Sequence, residues 1–179
     1  ISDLQREIGI TTVLVTHDQE EALALSNRIG LVREGALAQV GTPRELYARP
    51  NSTYVADFVG AANAMPVQLV HSTLPDASVR VNLEGQEMSA TAGQALAQGP
   101  AVLLVRSETL SLCDQPGDNR LPVRILRSQY LGARTLISVR SETGTEWRVE
   151  LHGTGSDRWA VGARAFLQLD AVSSRVVAS

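Results

Sequence analysis

Along residues 11–16, Thr-Thr-Val-Leu-Val-Thr, β-branched residues and leucine follow one another with no alternation of apolar and polar positions. Such a run is the pattern of a strand buried on both faces, as in a parallel sheet. It stops at His17. Asp18 then stands three residues before Glu21, a spacing at which an N-cap carboxylate and an N3 glutamate each satisfy an amide of the other's turn. The pattern predicts a strand, a histidine at its carboxyl end, and a helix from Gln19 to about Ser26 that turns Ala22, Leu23 and Leu25 to a core. Open α/β sheets place ligands at such a junction, and a helix N-terminus there favours phosphate. Upstream, residues 2–8 read as a short amphipathic helix with Gly9 in the C-cap position.

Downstream, residues 28–33 and 36–40 flank Glu34-Gly35, which reads as a tight hairpin turn. Thr42-Pro43-Arg44-Glu45 is a second capping box with proline at the first helical position, so a helix is expected to about Arg49, stopped by Pro50. Asn51 or Ser52 caps a further helix through Val59, ended by Gly60. Leu46, Tyr47, Tyr54, Val55, Phe58 and Val59 on these two helices are assigned to a core. Beyond Gly60 the period changes. Short alternating segments lie at 67–70, 78–83, 86–90, 101–106, 121–130, 135–141, 146–152 and 164–169, between turns at Gly85, 116–118, Gly144, 153–155 and Gly162. That spacing predicts an all-β barrel or sandwich, with a domain boundary at 61–63.

The segment VTHDQEEA, followed by S-x-R-I-x-L-V-x-E-G, GTPRELYARP and Phe58-Val59-Gly60, resembles the switch-histidine end of an ABC-transporter ATPase subunit. Val105-Arg106-Ser107-Glu108 and Tyr130-Leu131-Gly132 are similar to motifs of the TOBE domain that follows in that family, although serine stands where the first motif usually has proline. The resemblance implies an α/β remnant of a P-loop ATPase domain over 1–61 and an all-β, OB-like TOBE domain over 62–179. His17 is then the catalytic switch histidine, a donor to the γ-phosphate of ATP. No phosphate-binding loop of the form G-x-x-x-x-G-K-[ST] is present, and all sixteen basic residues are arginine. The family's glycine-rich signature and catalytic glutamate are absent too. These residues are therefore expected to be the C-terminal piece of a longer subunit, offering no cofactor-binding residues of their own; ATP and Mg2+ belong to the full-length parent.

On that reading the function is the C-terminal portion of the ATP-binding subunit of a bacterial importer for ferric iron, polyamines or phosphonates, coupling ATP hydrolysis to solute uptake. By itself the fragment is expected to be inactive. Its implied partners are permease subunits at the inner face of the cell membrane, a second copy in a homodimer, and a small solute as regulatory ligand. The alternative is a free-standing OB-like module that binds a small ligand or regulates, without ATPase activity.

Composition narrows this picture. With 179 residues and 44% apolar content the chain can bury one or two cores. A net charge of −3 and 4% aromatic residues give little for nucleic acid to bind. The single cysteine, Cys113, excludes an internal disulfide and reads as a small apolar residue. No apolar run has the roughly 18–20 residues of a membrane span. The carboxylates Asp18, Glu20 and Glu21 suit the first turn of a helix better than a metal, and His71 and His152 lack ligand spacing. Arg124, Arg127 and Arg134 form a candidate basic strip, with a solvated face as the simpler account.

Overall fold

The computed structural model describes residues 7–60, 62–153 and 158–179. It divides into two compact units, Ile1–Gly60 and Ala61–Ser179. Of the helix expected at 2–8, residues 2–6 lie outside the described residues; Gly9 follows with φ of 69°, the left-handed C-cap conformation.

In the first unit α1 (Gln19–Leu25) leads into the hairpin β1 (Ile29–Arg33) and β2 (Ala36–Gly41), then α2 (Pro43–Ala48) and α3 (Thr53–Phe58). Glu34 and Gly35 both have positive φ, 52° and 81°, the type I′ geometry whose twist matches that of paired strands. The second capping box closes as expected: Glu45 N donates to Thr42 Oγ1 at 3.2 Å and Thr42 N to Glu45 Oε2 at 2.8 Å. Ser52, rather than Asn51, caps α3 through Val55 N. Asn51 is used otherwise, its amide N donating to Gln39 Oε1 and its Nδ2 to Ala38 O, so the α2–α3 link is tied to β2. Leu46, Val55 and Val59 join Ala22, Ile29 and Leu31 in the core, with Leu23, Tyr54 and Phe58 packed against it. Tyr47 departs from expectation; it is 39% exposed, because it follows Leu46 and is turned about 100° away from it around a short helix.

Residues 11–16 do not form the strand that their pattern predicts. Val13 and Val15 are 86% and 93% exposed. A strand apolar on both faces is stabilised by neighbours at both edges and layers above and below. None is present among the described residues, so the run stays irregular there, and the expected α/β remnant is not seen among the described residues.

The second unit is all-β. Strands β3 (Ala62–Leu69), β4 (Ser78–Leu83), β5 (Gln86–Ala92), β6 (Gly99–Arg106) and β12 (Arg175–Ala178) close a barrel in the order β12-β5-β4-β3-β6. A five-stranded sheet in the order β10-β9-β8-β11-β7 is built from β7 (Ser111–Cys113), β8 (Arg120–Tyr130), β9 (Arg134–Ser141), β10 (Glu146–His152) and β11 (Arg164–Gln168). Alternation sends Val123, Ile125, Ile137, Val139, Trp147 and Val149 inward, where they share one core with Val67, Val81, Met88 and Leu103 of the barrel. The architecture is an OB-like barrel with a second sheet packed on it. Three strand features run beyond expectation. β3 starts at Ala62 instead of 67, since Pro66 and small residues disguise it as a linker, and β7 and β12 are too short to show an alternating pattern.

Two asparagines fasten sheet to barrel. Asn63 at the start of β3 is 6% exposed, and its side chain copies a strand edge: Arg148 N donates to Oδ1 at 2.8 Å and Nδ2 donates to Arg148 O at 2.9 Å. Asn119, just before β8, has φ of 58°, a conformation asparagine tolerates better than most residues. It accepts from Ser89 N at 2.6 Å and donates to Ser89 O and Leu169 O, both at 2.9 Å.

Candidate functional site around His17 and the faces of the β-domain

His17 lies in an exposed bend directly before α1. The turn that places it differs in one bond from the reciprocal box expected. Asp18 is the N-cap and accepts from Glu21 N at 3.0 Å, as its spacing requires. Glu21 does not return the bond. Its Oε2 accepts from Thr16 Oγ1 at 2.8 Å, and that hydroxyl oxygen accepts from Asp18 N at 3.0 Å. Thr16 thus relays what a glutamate would otherwise supply, and the peptide that follows His17 is held through Asp18 N while the imidazole itself makes no hydrogen bond among the described residues. The geometry presents a ring on a fixed turn. The sequence supplies neither a phosphate-binding G-x-x-x-x-G-K-[ST] motif nor a lysine to accompany this imidazole. Glu20 and Glu21 occupy the first turn of α1, where the helix dipole favours carboxylates.

In the second unit a polar cleft of about 660 Å³ is lined by Arg80, Glu87, Ser89, Asn119, Arg120 and Asp170 among others. Four of its charged groups, Arg80, Glu87, Arg120 and Asp170, are engaged with the protein. Arg80 Nη1 lies 3.6 Å from Glu87 Oε2, and Arg120 donates to Gln168 Oε1 and Gln115 O. Asp170 accepts from the Ser173 hydroxyl and from the amides of Ser173 and Val172, and these bonds, the hydroxyl's first, hold its carboxyl below the usual aspartate range. A ligand would have to displace bonds already made.

The remaining candidates separate. His152 Nε2 sits 3.2 Å from Glu150 Oε1 on the sheet surface, and His71 is exposed in a bend far along the chain from it. Cys113 is a free thiol at the end of β7. Trp147 is fully buried in the core, and Trp159 is buried beneath the Arg158 guanidinium, 4.4 Å from its ring. Arg124, Arg127 and Arg134 do share one sheet face, and strand pairing adds Arg140, Arg148 and Arg164 to it. Each of these three falls at an alternate position of a strand whose bounds are legible in sequence, but only the pairing of β8–β11 sets them beside the first three.

A closed five-stranded barrel carrying a second sheet defines a β-domain of the TOBE type, and the TOBE-domain family model matches residues 103–177. The fold alone is shared with the cytoplasmic molybdate-binding protein ModG in its molybdate-bound crystal form, at a TM-score of 0.57 and 14% identity over 65% of this chain and 96% of that one. In sequence the chain is 41% identical over 145 residues to the Fe(3+) ions import ATP-binding protein FbpC of Agrobacterium fabrum, covering 81% of the chain and 40% of the relative. It is 37% identical over 175 residues to the spermidine/putrescine import ATP-binding protein PotA 1 of Pseudomonas aeruginosa, covering 97% of the chain and 47% of the relative. The chain is thus similar to importer ATP-binding proteins and carries a TOBE-domain match, which is consistent with the C-terminal part of an ABC-importer ATPase. It spans less than half the length of these curated relatives.

Proposed function

We propose that the chain works as the C-terminal part of the ATP-binding subunit of a bacterial ABC importer, for ferric iron, a polyamine or a phosphonate, in which ATP hydrolysis drives solute uptake. The observation that supports this most is the likeness to two importer ATP-binding proteins, over 145 residues in one and over 175 of the chain's 179 in the other. Within the whole subunit residues 11–16 would join a parallel sheet of the ATPase domain, which gives their two apolar faces the cover they lack here. His17 would then stand at a strand end and donate to the γ-phosphate as negative charge shifts in the transition state. Phosphoryl transfer depends mainly on positioning and on such donors. The bonds through Thr16 and Asp18 hold the turn that carries the ring. The β-domain would serve regulation and dimerisation, with a small solute as regulatory ligand. Permease subunits would hold the assembly at the cytoplasmic face of the membrane; no helix among the described residues is long and apolar enough to cross it.

The test is a chimera in which residues 1–179 replace the matching part of the Pseudomonas aeruginosa PotA 1 protein. The chimera should hydrolyse ATP, and His17→Ala should lower kcat by about 10²–10³-fold, the usual cost of removing one transition-state donor. Undiminished turnover in the His17→Ala chimera would remove the catalytic role. Residues 1–179 alone should show no turnover.

A further inference from the structure

Residues 61–179 contain eleven arginines and eleven aspartates and glutamates, so the second unit is formally neutral. Its charge is nevertheless segregated. The solvent side of β8–β11 gathers Arg124, Arg127, Arg134, Arg140, Arg148 and Arg164, all exposed, against Glu146 and Glu150. Both carboxylates are already taken: Arg140 Nη2 donates to Glu146 Oε1 at 2.6 Å and Arg134 Nη1 to Glu150 Oε1 at 3.3 Å. Arg124 turns Nη1 to Gly162 O at 2.8 Å. Among the described residues Arg127, Arg148 and Arg164 have no side-chain partner.

The register sharpens the point. Arg124 lies directly opposite Arg140 on β9 and directly opposite Arg164 on β11. Like charges facing each other across strands destabilise a sheet, so folding by itself does not account for three arginines in one row. An anionic partner would. The face is a sheet surface rather than a concavity, which disfavours a small molecule. It also carries apolar area, with half-buried Leu136 and Phe166 between the arginines and Tyr130 and Leu131 exposed at the β8–β9 hairpin end, 73% and 44% respectively. Arginine and tyrosine around apolar side chains is the composition of protein interfaces. Guanidinium forks pair with carboxylates through two parallel bonds, which a lysine cannot do.

We propose that this outer sheet face docks an acidic surface of a protein partner. The docking role is independent of the His17 assignment. The probe is a short end-blocked peptide of glutamate and leucine, titrated into residues 1–179 by calorimetry. Binding should saturate, weaken as salt is raised, and fall about tenfold or more in the Arg127→Gln/Arg164→Gln variant. The same variant should melt no lower than the parent, because it relieves the Arg124–Arg164 repulsion, and this separates lost binding from lost folding. The proposal is overturned by absence of saturable binding, by equal binding of a glutamine-leucine peptide, or by tighter binding of a single-stranded oligonucleotide or of phosphatidylserine vesicles.

Discussion

Asn63 ties β3 to β10. Its amide supplies both halves of a strand-edge pair to Arg148 and a further bond to Val105 O. Replacing it by leucine keeps the volume but leaves a buried amide and carbonyls without partners, a loss of about 2–3 kcal/mol. Urea unfolding should show it, and Asn63→Asp should share the loss, since a carboxylate cannot donate to Arg148 O. At Glu45 the Thr42 amide, and then the Thr42 hydroxyl, hold the carboxyl below the ordinary glutamate range near 4.5. The stabilisation from this cap is complete above the unfolded value and is lost as pH falls through the lower folded one. A proton titration of the Thr42 amide resonance should therefore inflect below pH 4.5, and Glu45→Gln should abolish that inflection. Thr42→Ala, which removes the capping oxygen, should cost about 1 kcal/mol.

Among the elements β12 has the widest reach. It is four residues long, yet it pairs with β6 on one side, antiparallel, and with β5 on the other, parallel, so the chain's last strand closes a barrel begun by β3. Val176 and Val177 are completely buried there. Deleting residues 175–179 should expose two strand edges and open the core. The expected result is loss of a cooperative melt together with binding of a hydrophobic dye; a sharp, near-native transition would show that the barrel closes without β12. Elements with strong local signals behave differently. The β4–β5 and β1–β2 hairpins turn on Glu84-Gly85 and Glu34-Gly35, both pairs with positive φ, and their register follows from the turn.

At the scale of the molecule, exposed apolar side chains concentrate in one short stretch, Ile8, Ile10, Val13, Leu14 and Val15, each 47% exposed or more. A contiguous apolar stretch of this kind favours association. We expect residues 1–179 to form a homodimer or larger oligomer through this stretch, through the β-domain, or through both. Sedimentation at micromolar concentration should report it, and a Val13→Asp/Val15→Asp variant should shift the mass downward if the stretch contributes. A monomeric mass for the parent chain would set the expectation aside.

The local elements were legible because their causes are local. A capping box, a glycine after a turn residue and an alternating run act within a few residues, so both strands of the first hairpin, α1–α3 and most of β4–β11 follow from the order of residues alone. The candidate histidine was legible for the same reason, since its motif is contiguous. Tertiary structure decided what depends on partners distant in sequence. Residues 11–16 have a strand's composition but stay irregular because nothing among the described residues covers their faces. Thr16 takes the bond that spacing assigned to Glu21. β12 is a strand only because β5 and β6 leave a gap between them, and Asn63 and Asn119 become clips only when β10, β5 and the end of β11 are brought beside them. The arginine face is the same case: its residues lie on four strands, and only their pairing turns scattered charges into one surface.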